Sequence, residues 1–295
     1  MKNKIDFAVI ISVKNANPNG DPLNGNRPRV NYDGLGELSD VCLKRKIRNR
    51  LMETGHSIFV QSDDNKVDNY KSLRERAESE LKGVDMKDDN KYREEACKKW
   101  LDVRAFGQVF AYKGGKKSKK ETEGGEEQGD EKGVSIGIRG PVSIHSAFSI
   151  NPVSISSIQI TKSVSGEGDG TRKASDTMGM KHRVDFGIYV SYGSINPQLA
   201  SKTGFSDDDA EAIKKALITL FQNDASSARP EGSMEVYKVY WWKHNSNNGQ
   251  YSSAKVHRSL EVSLKPDVPE SKSIEDYEIK IQPLVGLTPE IIDGL

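Results

Sequence analysis

The order of strand-type and helix-type patterns is the feature of this sequence that most limits its fold. Residues Ile5 to Val13 are apolar and β-branched, which predicts a buried strand. Helical patterns follow at 40–51 and at 206–221, where Ser206 is a suitable N-cap for the second helix. Further strand patterns lie at 134–144, 155–164, 184–192, 234–242, 254–264 and 277–281. This order predicts an α+β fold with a ferredoxin-like βαββαβ core, in which an open sheet packs both helices on one face.

Composition describes a soluble chain with long polar segments. The 295 residues are 35% hydrophobic and 29% charged, and the mean hydropathy is −0.67. No apolar run approaches the roughly 20 residues that span a bilayer, and the early apolar run lacks the cleavage site of a signal peptide. Cys42 and Cys97 do not suggest a disulfide framework. We expect a cytoplasmic protein without a membrane partner.

The first helical pattern carries five basic residues and, after Asp40, no acid, although the net charge of the chain is only +1. Lys44, Arg45 and Arg48 fall on one flank of its apolar stripe, and Lys46 and Arg50 fall on the other. A cationic ridge on a core-anchored helix suits a polyanion, above all a phosphate backbone. The alternative is a solvated helix face whose acids lie elsewhere in the fold. The charge pattern alone leaves both interpretations open.

Two loops carry further cations. Residues 15–29 are dense in Asn, Pro and Gly, and they place Arg27 and Arg29 just before the basic helix. The connection between the strand patterns at 155–164 and 184–192 has roughly 20 residues, whereas hairpin loops usually have 2 to 5. Such a connection is either disordered or a functional protrusion. Its cations are Arg172, Lys173, Lys181 and His182, and Met178 and Met180 give it apolar, deformable tips.

Polar sequence separates the first helix from the later strands. Residues 66–81 and 90–101 are Glu- and Lys-rich helical patterns with thin apolar stripes, which indicates a peripheral insertion. Residues 114–133 are of low complexity and have little to bury.

Signals for catalysis are weak. The five histidines show no metal-type spacing, and neither a phosphate-binding Gly-rich loop nor a nucleophile elbow is present. Asp21 is the best single candidate for a catalytic carboxylate that acts on RNA. Its Asn-Pro-Asn-Gly-Asp-Pro sequence, however, is more typical of a turn. We therefore expect a binding protein with no catalytic residue, metal or cofactor.

Six separated segments together resemble one family. They are 17–21 (Asn-Pro-Asn-Gly-Asp), 25–29 (Gly-Asn-Arg-Pro-Arg), 39–48, 102–107 (Asp-Val-Arg-Ala-Phe-Gly), 138–142 (Ile-Arg-Gly-Pro-Val) and 181–187. In this order the sequence resembles the backbone subunit of the CRISPR-associated surveillance complex Cascade, the Cas-seven family of the RAMP superfamily. The similarity is greatest to its type I-C or I-B branch.

The resemblance implies a modified RNA-recognition-motif palm formed by residues 1–61 and 134–295. It also implies a helical finger insertion at 62–133, which includes the loop 114–133, and a β-hairpin thumb at about 158–186. Several copies would stack head to tail along the spacer of one CRISPR RNA (crRNA), and each thumb would turn out a nucleotide at regular intervals. The implied partners are crRNA, a target DNA strand paired with the guide, other copies of the chain, a Cas-five-type subunit and the large subunit.

Residue chemistry and the resemblance together give a set of predicted RNA-binding residues. They are Arg27, Arg29, Lys44, Arg45, Arg48, Arg139, Arg172, Lys173, Met178, Met180, Lys181 and His182. The sequence lacks the aromatic strand motif with which RNA-recognition motifs stack bases, so we expect binding through the helix, loops and thumb. Trp241 and Trp242 lie in an apolar strand, where we expect at least one of them in the core.

Two other functions compete with this one. The first is a metal-dependent ribonuclease that uses Asp21, as type III relatives cut target RNA with a loop aspartate. The second is a scaffold whose basic helix packs against an acidic partner.

Overall fold

The computed structural model describes residues 1–85, 88–112, 134–161 and 178–295. Its helices are α1 (Asp40–Glu53), α2 (Leu73–Glu80), α3 (Asp89–Lys99), α4 (Leu101–Phe106), α5 (Pro197–Thr203), α6 (Asp207–Ile218) and α7 (Ser253–Arg258). Its strands are β1 (Ile5–Ala16), β2 (Gly20–Asp21), β3 (Arg27–Pro28), β4 (Leu35–Leu38), β5 (Gly107–Tyr112), β6 (Val134–Arg139), β7 (Val142–Ile144), β8 (Ala147–Pro152), β9 (Ile155–Thr161), β10 (Met178–Ile195), β11 (Met234–Lys243), β12 (Leu260–Leu264), β13 (Tyr277–Ile281) and β14 (Glu290–Asp293).

The central sheet is antiparallel and has the order β14-β11-β1-β10-β8-β4. β1 lies between β10 and β11, with Ile5 opposite Ile195 at one end and Ala16 opposite Val184 at the other. Its inner four strands, β11-β1-β10-β8, together with α1 and α6 as connections, have the order of a βαββαβ core. The predicted α+β fold is confirmed.

Both faces of this sheet are covered, which explains why β1 is apolar along most of its length. Phe7, Val9 and Ile11 pack with α1 and α6 in the larger apolar cluster. Ala8 and Ile10 point to the opposite face, where α7, β12 and β13 form a second cluster. The adjacent Trp241 and Trp242 are both buried, one in each cluster, because successive strand residues face opposite sides. Both tryptophans are therefore core residues, where the sequence led us to expect at least one of them.

The insertion after α1 has an apolar cluster of its own. The Phe59 ring lies 4.6 Å from Trp100 and 5.1 Å from Phe110, measured between centroids. Ile136 of β6 belongs to the same cluster, and β6 pairs with β5 rather than with the central sheet. The predicted strand 134–144 is thus two strands, broken at Gly140 and Pro141. We propose that the finger insertion extends to Arg139, beyond the boundary at 133 that the resemblance implied.

Two other element predictions differ from the structure. Only 73–80 of the polar pattern 66–81 is helical, since the helix begins where the Ser72 hydroxyl accepts a hydrogen bond from the Glu75 N–H. The predicted strand at 254–264 begins as α7 instead. Ser252 caps that helix, and Val256 is fully buried against the sheet. Within the described ranges, no helix is long and apolar enough to cross a membrane.

Candidate nucleic-acid interface

The loop at 17–29 is ordered and fixed to the start of α1. The Asn19 Oδ1 accepts hydrogen bonds from the backbone N–H and the hydroxyl of Ser39, at 2.9 and 2.8 Å. Ser39 is also the N-cap of α1, so one asparagine joins the loop to the helix start. Within the loop, the Asn17 Nδ2 donates to the Asn26 carbonyl at 2.7 Å. A Cβ on Gly20 would lie 2.0 Å from the Asn26 Oδ1, so a larger residue here would displace the Asn26 side chain.

The same loop contacts the hairpin of β9 and β10. The Arg27 guanidinium donates to the Ser157 hydroxyl at 3.2 Å, and the His182 Nδ1 lies 2.8 Å from the same oxygen. Two predicted site residues from distant segments, Arg27 and His182, therefore meet at a serine that the sequence analysis did not single out. We call Arg27, Ser157, His182, Met178 and Met180 the loop–thumb surface.

The β9–β10 hairpin has two different faces. Its register pairs Met178 with Thr161, Met180 with Gln159 and His182 with Ser157, so these residues share one face. Ile158 and Ile160 lie on the other face, where Ile158 pairs with Lys181. The four apolar side chains are between 42% and 62% exposed, although they lie in a regular strand pair.

Met178 and Met180 thus belong to the hairpin strands and not, as predicted, to the tips of the connection. The connection ends earlier than predicted, because β10 begins at Met178, six residues before Val184, the last residue of β10 that pairs with β1. Arg172 and Lys173 lie outside the described residues.

On the predicted RNA-facing flank of α1, only Arg45 points into solvent without a carboxylate of the described ranges within 4 Å. Lys44 forms an ion pair with Asp40 at 2.9 Å. The Arg48 Nε donates to Asp102 at 2.9 Å, and the guanidinium lies over the Phe106 ring. Arg48 therefore has the distant acid that the alternative interpretation required, and Lys44 is paired with the acid at the start of its own helix. RNA contact by either residue stays a prediction.

The other flank of α1 is structural. Lys46 is 1% exposed and forms an ion pair with Asp224, which also accepts a hydrogen bond from Arg229 at 3.0 Å. Burial lowers the pKa of Lys46, and the charge of Asp224 opposes that shift. Arg50 is buried as well and donates to Thr219 and Gln222 of the segment that ends α6. These two cations hold α1 against its neighbours.

Asp21 has the role of a turn former. Its carboxylate accepts a hydrogen bond from the Leu23 N–H at 3.2 Å, which caps the short 3-10 helix at 22–24, and lies 3.3 Å from the Arg29 guanidinium. Arg29 is therefore paired within its own loop. Among the described residues, no group of three or more His, Cys, Asp or Glu side chains is arranged to hold a metal ion.

Arg139 lies apart from the other predicted residues. It lines a cavity of about 770 Å³ between the insertion and α5. α5 follows Ile195, which pairs with Ile5 at one end of β1, whereas the 17–29 loop follows the opposite end. The structure thus brings the loop, the β9–β10 hairpin and the start of α1 together but separates Arg139 from them.

Residues that the sequence analysis missed were hidden by non-local contacts. Ser157 has no local signal, because its role depends on the β9–β10 register and on the position of Arg27. Asn19 is part of a segment of the resemblance, and its Asn-Gly neighbourhood indicated a turn but not the contact with Ser39. Asp102 also lies in such a segment, and its partner Arg48 is 54 residues away.

The family model and the curated relative that match this sequence have the same description. The model of the family of CRISPR-associated protein Cas7 matches residues 3–282. A curated relative from Haloferax volcanii, also described as CRISPR-associated protein Cas7, is 26% identical over 300 residues, covering 99% of this chain and 85% of the relative.

Two solved structures are also similar to this chain. One is described as a CRISPR RNA-guided surveillance complex, pre-nicking, with a TM-score of 0.47 and 14% identity over 91% of this chain and 84% of that chain. The other is described as a CRISPR RNA-guided surveillance complex, with a TM-score of 0.42 and 15% identity over 81% of this chain and 68% of that chain. Because the family model spans nearly the whole sequence, the chain belongs to the family of CRISPR-associated protein Cas7.

Proposed function

We propose that this chain is a crRNA-binding backbone subunit of a type I Cascade surveillance complex, of the type I-C or I-B branch. Family membership supports the proposal, and the observation that carries it is the loop–thumb surface. There the 17–29 loop, tied to the start of the basic helix through Asn19, meets the thumb hairpin through Arg27, Ser157 and His182.

The chemistry of this surface suits a phosphate backbone of any sequence. Arg27 is an exposed cation of this surface, and Arg45 is an exposed cation on the nearby helix α1. The Ser157 hydroxyl and the His182 imidazole are hydrogen-bonding groups between the loop and the thumb. Contacts of these kinds to phosphates fix the position of a nucleic acid without reading its bases. A protein that carries many different spacers needs that independence from sequence.

The methionine face of the thumb supports periodic displacement of bases. Met178 and Met180 are flexible apolar side chains on the same face as His182, beside the proposed path of the backbone. Apolar side chains that wedge between bases cost a few kcal/mol of unstacking and distort the strand. The nucleotides between two such wedges stay free to pair with a target DNA strand.

We further propose that copies of the chain stack head to tail along one crRNA, beside a Cas-five-type subunit and the large subunit. Ile158 and Ile160 expose apolar area on the opposite thumb face, which is available for protein contact. A heterologous contact that does not close produces a filament. The role is binding rather than catalysis, since the surface offers phosphate ligands and Asp21 is engaged in its turn.

The first experiment is purification of the chain with the proteins encoded beside it. The mass of the particle and its absorbance ratio at 260 and 280 nm are measured before and after ribonuclease treatment. We expect a large particle that contains RNA of uniform length. A nucleic-acid-free monomer that does not assemble when given crRNA and those partners contradicts the proposal.

The second experiment locates the RNA. The double variant Arg27→Ala with Arg45→Ala is compared with a control, Lys243→Ala with Lys272→Ala, which removes two exposed cations elsewhere. Lys243 pairs with Ile5, roughly 35 Å along β1 from the 17–29 loop at the rise of a strand. We expect the first variant to weaken binding of every spacer sequence and to reduce the salt slope by about 1.4 for two lost contacts. Equal effects of the two variants contradict this location.

A further inference from the structure

One edge of the strand β6 is open, and it faces the cavity that contains Arg139. Three consecutive residues of β6, at 137–139, line this cavity. Because successive side chains of a strand point to opposite faces, consecutive residues line one cavity only where it runs along the edge of the strand. A Cβ on Gly137 would have no atom within 4 Å, so the space beside the strand is open.

The other edge of β6 is already paired. Val134 lies opposite Tyr112 and Arg139 lies opposite Gly107, so β5 accompanies β6 along its whole length. Among the described residues, β6 pairs with no strand other than β5. In an antiparallel pair, alternate residues direct both their N–H and their C=O away from the partner. The edge of β6 in the cavity therefore offers backbone donors and acceptors in turn.

The cavity also has more positive than negative charge, although the chain as a whole is close to neutral. The charged residues of its lining are one carboxylate, Glu94, and four cations, Arg93, Lys98, Arg139 and Lys202. We call this cavity the basic cleft. Lys98 is neutralised by Glu94 and Glu95, at 2.8 and 3.0 Å. The other three cations determine which charge the cleft attracts.

These three cations lack a close internal partner. Arg139 and Lys202 are exposed, and within the described ranges no carboxylate lies within 4 Å of either. Arg93 is only loosely paired, with Asp89 at 3.6 Å, and its Nε is buried without a hydrogen-bond acceptor among the described residues. The cations come from α3, β6 and α5, so they lie on more than one side of the open strand edge.

A strand edge with both donors and acceptors suits a polypeptide better than a phosphate backbone. Phosphate oxygens only accept hydrogen bonds, so they would leave the carbonyl groups of the edge without donors, which costs free energy in a partly enclosed cleft. The described lining also contains no aromatic side chain on which a base could stack. An extended peptide satisfies both kinds of backbone group when it adds as a further strand.

We propose that the basic cleft binds an extended, acidic segment of a partner protein, which adds as a third strand beside β6. Carboxylates of the segment pair with Arg93, Arg139 and Lys202, since guanidinium groups match carboxylates in a bidentate geometry. Ile138 and Leu199 are half-buried in the lining and give apolar contacts for the side chains between those carboxylates. The cleft shares no residue with the loop–thumb surface, so its occupation does not require RNA.

The test uses the 295-residue chain after ribonuclease treatment. The probe is a labelled peptide of alternating Glu and Val with blocked termini, about ten residues long, which exceeds the roughly 10 Å of strand in the cleft. Fluorescence anisotropy measures binding. We expect Arg139→Gln with Lys202→Gln to weaken binding roughly tenfold, which is about 1.4 kcal/mol. The control Arg258→Gln with Lys272→Gln removes an exposed arginine and an exposed lysine outside the cleft, and should bind the probe like the wild type.

Two further peptides separate charge from strand addition. A peptide of alternating Lys and Val keeps the pattern but reverses the charge, and we expect it not to bind. The Glu-Val peptide N-methylated at every residue keeps the carboxylates but has no backbone donors, and should bind at least roughly tenfold more weakly. Hydrogen exchange of the backbone at 134–139 should slow when the unmethylated peptide binds.

Four outcomes overturn the proposal. The first is no binding of the Glu-Val peptide by the wild type. The second is an equal affinity of the variant at 139 and 202 and of the control variant. The third is equal binding of the methylated peptide, which excludes strand addition. The fourth is displacement of the peptide by a single-stranded DNA that the variant at 139 and 202 binds more weakly than the control does, which assigns the cleft to nucleic acid.

Discussion

Arg48 and Asp102 join the basic helix α1 to the insertion that follows it, through a 2.9 Å hydrogen bond from Nε to Oδ2. Asp102 is 1% exposed, and its two oxygens also accept the backbone N–H groups of Phe59 and Val60, at 2.7 and 3.0 Å. The carboxylate therefore binds α1 and the segment that enters the insertion at the same time. The pairing also holds the side chain of Arg48, a predicted RNA-binding residue, in one orientation.

A second buried ion pair connects the same insertion to α6. Arg104, two residues after Asp102, donates from Nε and from a terminal nitrogen to the two oxygens of Asp209, at 2.9 and 2.7 Å. Burial raises the pKa of Asp209, but the hydrogen bonds from Arg104 and from Ser206 outweigh that effect and lower it overall. The segment Asp102 to Gly107 is thus a structural bridge from the insertion to α1 and α6.

We expect Asp102→Asn to lower the free energy of unfolding by roughly 3 kcal/mol, the scale for removing one partner of a buried ion pair. The amide keeps the size of the side chain but leaves Arg48 without its counter-charge. Urea unfolding followed by circular dichroism measures the change. Asp63→Asn makes the same substitution at a fully exposed aspartate and should leave stability unchanged. If the two variants have similar unfolding curves, Asp102 does not stabilise the fold by connecting α1 to the insertion.

The entry to the insertion also depends on close backbone contact. We call Gly107 and Gly140, with the residues that they touch, the neck. A Cβ on Gly107 would lie 2.3 Å from the Ile138 carbonyl oxygen, and a Cβ on Gly140 would lie 2.3 Å from the Ala105 carbonyl oxygen. Gly107 also has φ +82°, a conformation that other residues rarely adopt.

Gly107→Ala should therefore destabilise the chain more than an ordinary glycine substitution. Gly55 is a matched control because it has φ +88° but open space around the position of a Cβ. Gly55→Ala carries only the backbone strain of about 1 kcal/mol, whereas Gly107→Ala adds a clash with backbone and should cost roughly 3 kcal/mol. Thermal unfolding of both variants compares them. If the two midpoints fall equally, the close approach at the neck is not responsible.

The sequence predicts the main strands of the central sheet and the helices α1 and α6 because their signals are local. Ser206 caps α6 with a reciprocal bond from Asp209, and the buried stripe of Ile213 and Leu217 has helical spacing. The run from Ile5 is apolar because both faces of the sheet are covered, so the pattern of one strand already indicates a buried position. The order of these elements then limits the topology of the core.

The candidate site is harder to predict from the sequence, because its contacts join residues that are far apart in the chain. Arg27 and Ser157 are 130 residues apart, and only the sheet register brings them together. The charge pattern of α1 also does not show which of its basic side chains are exposed. Lys46 and Arg45 are adjacent and both basic, yet one is buried against Asp224 and the other is exposed. Helical spacing places these two residues on different flanks of α1, but only the positions of the neighbouring elements decide which flank is buried.

The two faces of the thumb should have separable roles. Met178→Ala with Met180→Ala removes the side chains proposed to unstack bases, and Ile158→Ala with Ile160→Ala removes similar apolar area from the opposite face. We expect only the methionine variant to reduce the fluorescence of 2-aminopurine placed at the displaced positions of the crRNA, because unstacking raises that signal. Reduced fluorescence in the isoleucine variant alone contradicts the assignment of the faces.

A buried histidine makes stability depend on pH. His257 Nε2 donates to the Gly193 carbonyl at 3.1 Å and lies 3.9 Å from Asp6, with Lys4, His145 and the Tyr192 ring also facing it. Burial lowers the pKa of His257 from its ordinary 6.5, against the opposing effects of Gly193 and Asp6. The pKa of Asp6 is lowered below 3.8 by hydrogen bonds that outweigh its burial, so this carboxylate stays ionised near neutral pH.

Because the unfolded chain binds a proton at His257 near pH 6.5 and the folded chain does so only at lower pH, acidification favours the unfolded state. The stability of the wild type should be complete above pH 6.5 and should fall as the pH drops below it toward the lowered pKa. Urea midpoints at pH 7.5 and 5.5 measure this loss. His257→Gln keeps a donor for Gly193 and should show a smaller difference between the two midpoints, while the half-buried control His56→Gln should keep the wild-type difference. An undiminished pH dependence in His257→Gln would assign the effect to other groups.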